Sequence, residues 1–224
     1  LDVRDREIEV RLSEDEQVHI RYFESSKEYY GISVSDGGVL TMVDADSKEW
    51  TDYIGKKPSA ENRKILLQIP DGLLDSLYIS TTNEDVSLPA LAVKGSLSLS
   101  SNGGDIVFES LDAGSAIDIE VKNGDISGVI LGSYDDFSIE TEIKKGESNL
   151  PVNKDGGGKS LRVSCNNGDV DIEFIKKTSD IKVEEMNFMF QQQKVKDEIK
   201  VGQVIACSDA FVHCYGDAHG SLYQ

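Results

Sequence analysis

From Leu77 onward, apolar side chains come in pairs separated by one polar residue, and the pairs recur. Leu77/Ile79, Leu97/Leu99, Ile117/Ile119 and Phe137/Ile139 are spaced by 20 residues, and Leu161/Val163 follows after 24. Alternation at period two marks a strand with one buried face. A second set, Val86/Leu88, Ile106/Phe108 and Val170/Ile172, with Phe174 extending the last, gives most intervals a second strand. Between the two strands stands a turn: Asn83-Glu84-Asp85, Asn102-Gly103-Gly104-Asp105, Asn123-Gly124-Asp125 and Asn167-Gly168-Asp169. The predicted unit is strand, turn, strand, corner. Its fourth copy has Lys145-Gly146-Glu147 at the turn, and Asn153-Lys154-Asp155-Gly156-Gly157-Gly158 accounts for its extra length.

Two architectures use such a unit, an up-and-down sheet of hairpins or a stacked solenoid. Hairpin loops tolerate changes of length, whereas a solenoid loses vertical register when a coil gains or loses a residue. Three consecutive steps of 20 therefore favour stacking, with residues 79, 99, 119 and 139 expected in one column. Asp169, 44 residues after Asp125, reads as close to two further periods.

Ahead of the repeat, Glu7–Leu12 and Gln17–Tyr22 alternate charged and apolar residues across the polar turn Ser13–Glu16. Tyr30–Val34 and Val39–Val43 flank Asp36-Gly37-Gly38, a hairpin signal, and Ile65–Ile69 is an apolar strand ended by Pro70-Asp71-Gly72. The expected fold is all-β: an N-terminal antiparallel meander over 1–72, continuous with β-solenoid coils of about 20 residues over 73–175, then C-terminal strands or capping coils over 176–224. Trp50, the one tryptophan, reads as a ligand platform or a lid over a core edge.

The turn residues have structural reasons to be what they are. Asn tolerates the left-handed region, Gly adopts positive φ without steric cost, and an Asp carboxylate accepts backbone N–H groups at a corner. Asn83, Asp85, Asn102, Gly103, Asp105, Asn123, Gly124, Asp125, Asn167, Gly168 and Asp169 are accordingly read as a structural turn motif. A stacked aspartate row could bind calcium, but the period differs from that of the calcium β-roll nonapeptide, and only Gly103-Gly104-Asp105 resembles it. No metal or cofactor is expected.

Charge removes one class of partner. Lys and Arg number 23 against 41 Asp and Glu, a net charge of −18 that repels phosphate backbones, so no nucleic-acid partner is expected. Cys165, Cys207 and Cys214 are too few for a disulfide framework; Cys207 and Cys214 could pair in an exported protein or stay free. With His213 and His219 they are zinc-type ligands in kind, at spacings unlike those of fingers or ribbons. Asp105, Glu109, Asp118, Glu120 and Asp125 supply carboxylates for glycoside chemistry, but no pattern marks a pair, and no Walker, nucleophile-elbow or zincin motif occurs. No catalytic residue is assigned. The chain begins in mid-pattern without Met and has no apolar run of about 18 residues. The expectation is a trimmed chain, with membrane attachment only through an anchor outside it.

The Pro70-Asp71-Gly72 turn after an apolar strand, followed by Thr81-Thr82-Asn83-Glu84-Asp85-Val86 and the later Asn-Gly-Asp-Ile/Val copies, resembles the DUF4097 family of bacterial proteins labelled adhesins. The resemblance covers about residues 1–175. It implies a β-helix-like solenoid carried outside the membrane behind an N-terminal anchor, with no catalytic residues to carry over. Glu84 and the fourth copy depart from its motif. Residues 210–220 faintly resemble the β-helical domain of the cell-division inhibitor MinC. The expected function is non-enzymatic: a cell-envelope protein, adhesin or surface-binding solenoid, with an unknown surface ligand or protein partner. The alternatives are a carbohydrate-active β-helix enzyme and an envelope scaffold that self-associates through solenoid ends.

Overall fold

The structure, a computed structural model, describes residues 1–45 and 60–177, all within one compact unit, Leu1–Lys177. The strands are β1 (Glu7–Leu12), β2 (His19–Arg21), β3 (Tyr30–Val34), β4 (Leu40–Asp44), β5 (Lys64–Ile69), β6 (Ser76–Thr81), β7 (Val86–Leu88), β8 (Leu91–Val93), β9 (Ser96–Ser101), β10 (Ile106–Ala113), β11 (Ala116–Asn123), β12 (Ile126–Leu131), β13 (Phe137–Lys145), β14 (Asn153–Lys154), β15 (Lys159–Asn167) and β16 (Val170–Ile175). Apart from 3-10 turns at Ala60–Arg63 and Tyr134–Asp136, the described chain has no helix.

Two mainly parallel sheets face each other across one apolar core. The first runs β14-β13-β15-β11-β9-β6, and the second runs β16-β12-β10-β7-β1-β5-β2 with β8 beside β10. Along each strand the apolar member of the alternation is buried: Leu77 and Ile79 in β6, Leu97 and Leu99 in β9, Ile117 and Ile119 in β11. Each coil buries this face against its neighbours, and like residues lie above one another. In the second sheet Ile65, Ile8, Val86, Ile106, Ile126 and Val170 form one continuous column. In the adjacent column Gly128 stands beside Phe108, and a Cβ there would lie 2.3 Å from the ring. Glycine makes room for the aromatic side chain.

The order of coils departs from the order of sequence at both ends. Ile79, Leu99 and Ile119 stack as expected, but the next member of their column is Val163 and the one after it is Thr141. Ile139 lies instead under Leu161, in the column of Leu77, Leu97 and Ile117. Strand β15 has inserted between β11 and β13. The corner explains the jump: Gly114-Ser115 turns the chain into the adjacent coil, whereas Gly132–Asp136, with a 3-10 turn capped by Ser133 and Asp136, reaches one coil farther. Skipping a slot doubles the step of about 4.8 Å between neighbouring strands. The 44 residues from Asp125 to Asp169 are thus a single step in space.

At the other end β1 and β2 are not hairpin partners. Strand β5 lies between them, parallel to β1 and antiparallel to β2, while β3 and β4 do form the expected hairpin. Asp2 bridges Ser80 on one side and Val43 on the other, joining that hairpin to the first sheet. The first strand therefore lies inside the stack, between β7 and β5, whereas the last described strand, β16, ends the second sheet.

Candidate functional site at the turn edge

Where the chain passes from the first sheet to the second, the repeated turns lie above one another. Asp105 N–H donates to Asp85 Oδ1, Asp125 N–H to Asp105 Oδ1, Asp169 N–H to Asp125 Oδ1 and Glu147 N–H to Asp169 Oδ1, each at 2.8 Å. The aspartate carbonyls take part too: Val86, Ile106 and Ile126 donate to Asp105, Asp125 and Asp169 at 2.9 Å. Each carboxylate satisfies an amide that the corner would otherwise leave unpaired, a charge-assisted bond stronger than a neutral one. Because Ile8 aligns with Val86, Glu7 occupies the aspartate position of the next coil. Lys64 follows it, 3.0 Å from Glu7 Oε1 and also bonded to Glu9. Bonding to Lys64 holds the Glu9 carboxyl below its ordinary range, and bonding to Glu9 and Glu7 raises the Lys64 ammonium.

The other motif residues form two further rows. Gly124 and Gly168 belong with Gly104 and Gly146, at φ between 132° and 149°. A Cβ at Gly124 would meet Gly104 O at 2.3 Å, and one at Gly168 would meet Gly124 O at 2.0 Å. Gly104, rather than Gly103, fills this position; Gly103 lies beside Asn83. Asn83 itself takes φ 58° and donates to Asp5 Oδ1 at 2.8 Å. Asn167 donates to Asn123 Oδ1 at 2.7 Å and Asn123 to the Asn102 carbonyl at 3.1 Å, so Asn102 joins through its main chain.

This edge can present negative charge at regular intervals, but one oxygen of each aspartate carboxylate already serves the backbone. Asp118 and Glu120 stand exposed on the first sheet, away from the Asp105 and Asp125 row. Among the described residues no three His, Cys, Asp or Glu side chains gather as a metal site. Cys165 is buried beneath the turns, its Sγ 3.5 Å from Gly124 O and 3.4 Å from Gly168 O. Burial, aided by Asp125 and Asp169, pushes its thiol up and away from thiolate chemistry. Trp50, Cys207, His213, Cys214, His219 and the stretch likened to MinC lie outside the described residues.

Sequence reasoning missed Arg6. Its side chain is 3% exposed and bonds to Tyr30 Oη, to the Asp5 carbonyl at 2.9 Å and to Glu28 Oε2 at 3.0 Å. Burial opposes its charge, but Tyr30, Glu28 and Asp44 outweigh that effect and raise the guanidinium. Arg4 extends the cluster to Asp44, at 3.2 Å. These contacts fasten the β3–β4 hairpin to the first coil. A charged residue in a charged run carries no signal that it will be enclosed by a hairpin more than 20 residues away.

A model of the Toastrack DUF4097 family matches residues 1–204, past the point at which the repeat pattern ends. No curated protein matches the chain. Among solved structures, that of "a putative cell adhesion protein from Clostridium sporogenes ATCC 15579" is similar with a TM-score of 0.52, over 78% of this chain and 91% of that one. At 12% sequence identity the likeness is one of fold.

Proposed function

The chain belongs to the Toastrack DUF4097 family, and on that premise we propose that it is a non-enzymatic bacterial cell-envelope protein, an adhesin-type β-solenoid that holds a surface partner on an outer wall. The observation that carries the reading is the outward face of the first sheet. In-register pairing sets Ser76, Ser96, Ala116, Ser160 and Ser138 in one row. Tyr78, Ser98, Asp118, Arg162 and Glu140 form the next, and Ser80, Ser100, Glu120, Ser164 and Glu142 a third. Short side chains on parallel strands make a flat wall with hydroxyls at regular intervals, broken by an exposed Tyr78 and by the charges beyond it. Such a wall suits recognition by area. The neighbour described as a cell adhesion protein supports the same reading.

Fluorescently labelled protein applied to intact bacterial or host cells tests this. Saturable retention is expected. A double substitution of Tyr78→Ala and Arg162→Glu should lower it by about tenfold or more, as loss of aromatic and arginine contacts does at interfaces. Release of reducing ends from envelope polysaccharide would move the assignment to the carbohydrate-active class, and no retention on any surface would defeat the adhesin reading.

Self-association is a second reading, favoured by the β3–β4 hairpin, where Ile32, Val34, Val39 and Val43 are exposed. It predicts a mass in solution above that of the 24.6 kDa chain. A monomeric mass across a wide concentration range removes it.

A further inference from the structure

On the edge opposite the aspartate row, the corners leaving the second sheet enclose a shallow cleft of about 240 Å³ bounded by Gly72, Lys94, Asp112, Lys159 and Lys177. Its floor follows from the pairing of β8 with β10, which sets Ala92 beside Asp112 and Val93 beside Ala113. Gly114 has no side chain because the backbone leaves no room for one: a Cβ there would lie 1.8 Å from Lys94 O. The small residues keep the cleft open.

Three ammonium groups border it. Lys159, the first residue of β15, donates to the Ala113 carbonyl at 2.7 Å and lies 3.6 Å from Asp112 Oδ1. Lys177 lies 2.6 Å from Asp112 Oδ2. Lys94 donates to the Leu73 carbonyl at 3.4 Å and is 3.8 Å from Asp75, whose side chain is 90% exposed, so that pairing is screened by solvent. Three cations thus border one lining carboxylate on a chain with a net charge of −18. A lysine carries three donors, and the side chains of Lys94 and Lys177 remain 63% and 34% exposed.

We propose that this corner cleft binds a single anionic group, a carboxylate or phosphate borne by a surface polymer, with Lys94 and Lys177 as the ligand-facing cations and Lys159 as the group that positions Asp112. The overall negative charge disfavours a long polyanion lying along the molecule, and the small cleft suits one such group at a time. The site is on a different edge from the flat wall, so its test does not depend on cell binding.

The test is an NMR titration of the full chain with galacturonate and, separately, inorganic phosphate, with galactose as the neutral control. Amide shifts are expected at Ala92–Lys94 and Asp112–Gly114, with affinity falling as salt rises. Asp112→Asn, which removes the competing carboxylate, should tighten binding by about tenfold, and Lys94→Glu should weaken it by about as much. Preference for galacturonate identifies an acidic glycan as the source of the group, and preference for phosphate a phosphate-bearing polymer. Unchanged affinity in Asp112→Asn, equal shifts with galactose, or shifts confined to other residues would overturn the proposal. If Asp112→Asn fails to fold, Lys177→Glu replaces it: it should weaken binding by about tenfold, and unchanged affinity would overturn the proposal.

Discussion

A single glycine shows how local conformation and vertical contact combine in this protein. Gly124 has φ 149°, and a side chain there would strike the carbonyl of the coil beside it at 2.3 Å. Gly156 also has positive φ, at 97°, yet nothing lies within 4 Å of its missing Cβ. Gly124→Ala is therefore expected to cost at least about 3 kcal/mol, because backbone must move in two coils, and Gly156→Ala only about 1 kcal/mol of conformational strain. Urea unfolding of the two variants measures the difference, and equal losses would show that φ alone sets the requirement. The aspartates follow the same logic: their identity answers to an amide one coil away.

At the scale of the element, the strand displaced by the insertion of β15 carries a trace in its packing. Thr141 of β13 occupies the column of Ile79, Leu99, Ile119 and Val163, and its buried Oγ1 has no hydrogen-bond partner. Replacing it with isosteric valine removes an unpaired polar atom and continues the apolar column, so Thr141→Val should raise stability by about 1 kcal/mol in chemical denaturation. A destabilised variant would mean that the hydroxyl is satisfied in solution. The same strand shows why its place was hidden from sequence. Side chains in a strand alternate at period two, so a shift of two residues keeps the same face inward. Thr141 takes the column expected for Ile139, and Ile139 the column expected for Phe137, without disturbing the hydrophobic pattern, and a regular spacing of 20 conceals the change of slot.

At the largest scale, the unit Leu1–Lys177 builds its stack by weaving. The segment from Leu1 to Leu12 has later parts of the chain on both sides, and β15 lies between β11 and β13. A solenoid built strictly in sequence order would end on its own terminal strands, which would fray first. Here β1 is an interior strand, and the amides of Ile8 and Val10 should exchange with solvent as slowly as those of Ile106 and Ile126. The β3–β4 hairpin, paired on fewer sides, should exchange faster. Hydrogen exchange read by mass spectrometry or NMR checks this, and rapid exchange throughout β1 would show that the N-terminal coil opens independently.

The sequence by itself determined the strands, the inward face of each, the repeating turn and the corner chemistry of Asn, Gly and Asp. All of these are set by interactions within a few residues or by a periodicity that one coil displays alone. Only the tertiary structure decided which coil lies beside which, why Gly104 rather than Gly103 is required, and that Glu7 and Glu147 complete the aspartate row. It also decided the enclosure of Arg6 and the gathering of Lys94, Lys159 and Lys177 around one cleft. The physical reason is that parallel strands pair through identical backbone groups, so any coil of the right parity fits any slot. The length of a corner and the contacts of the finished stack select among them.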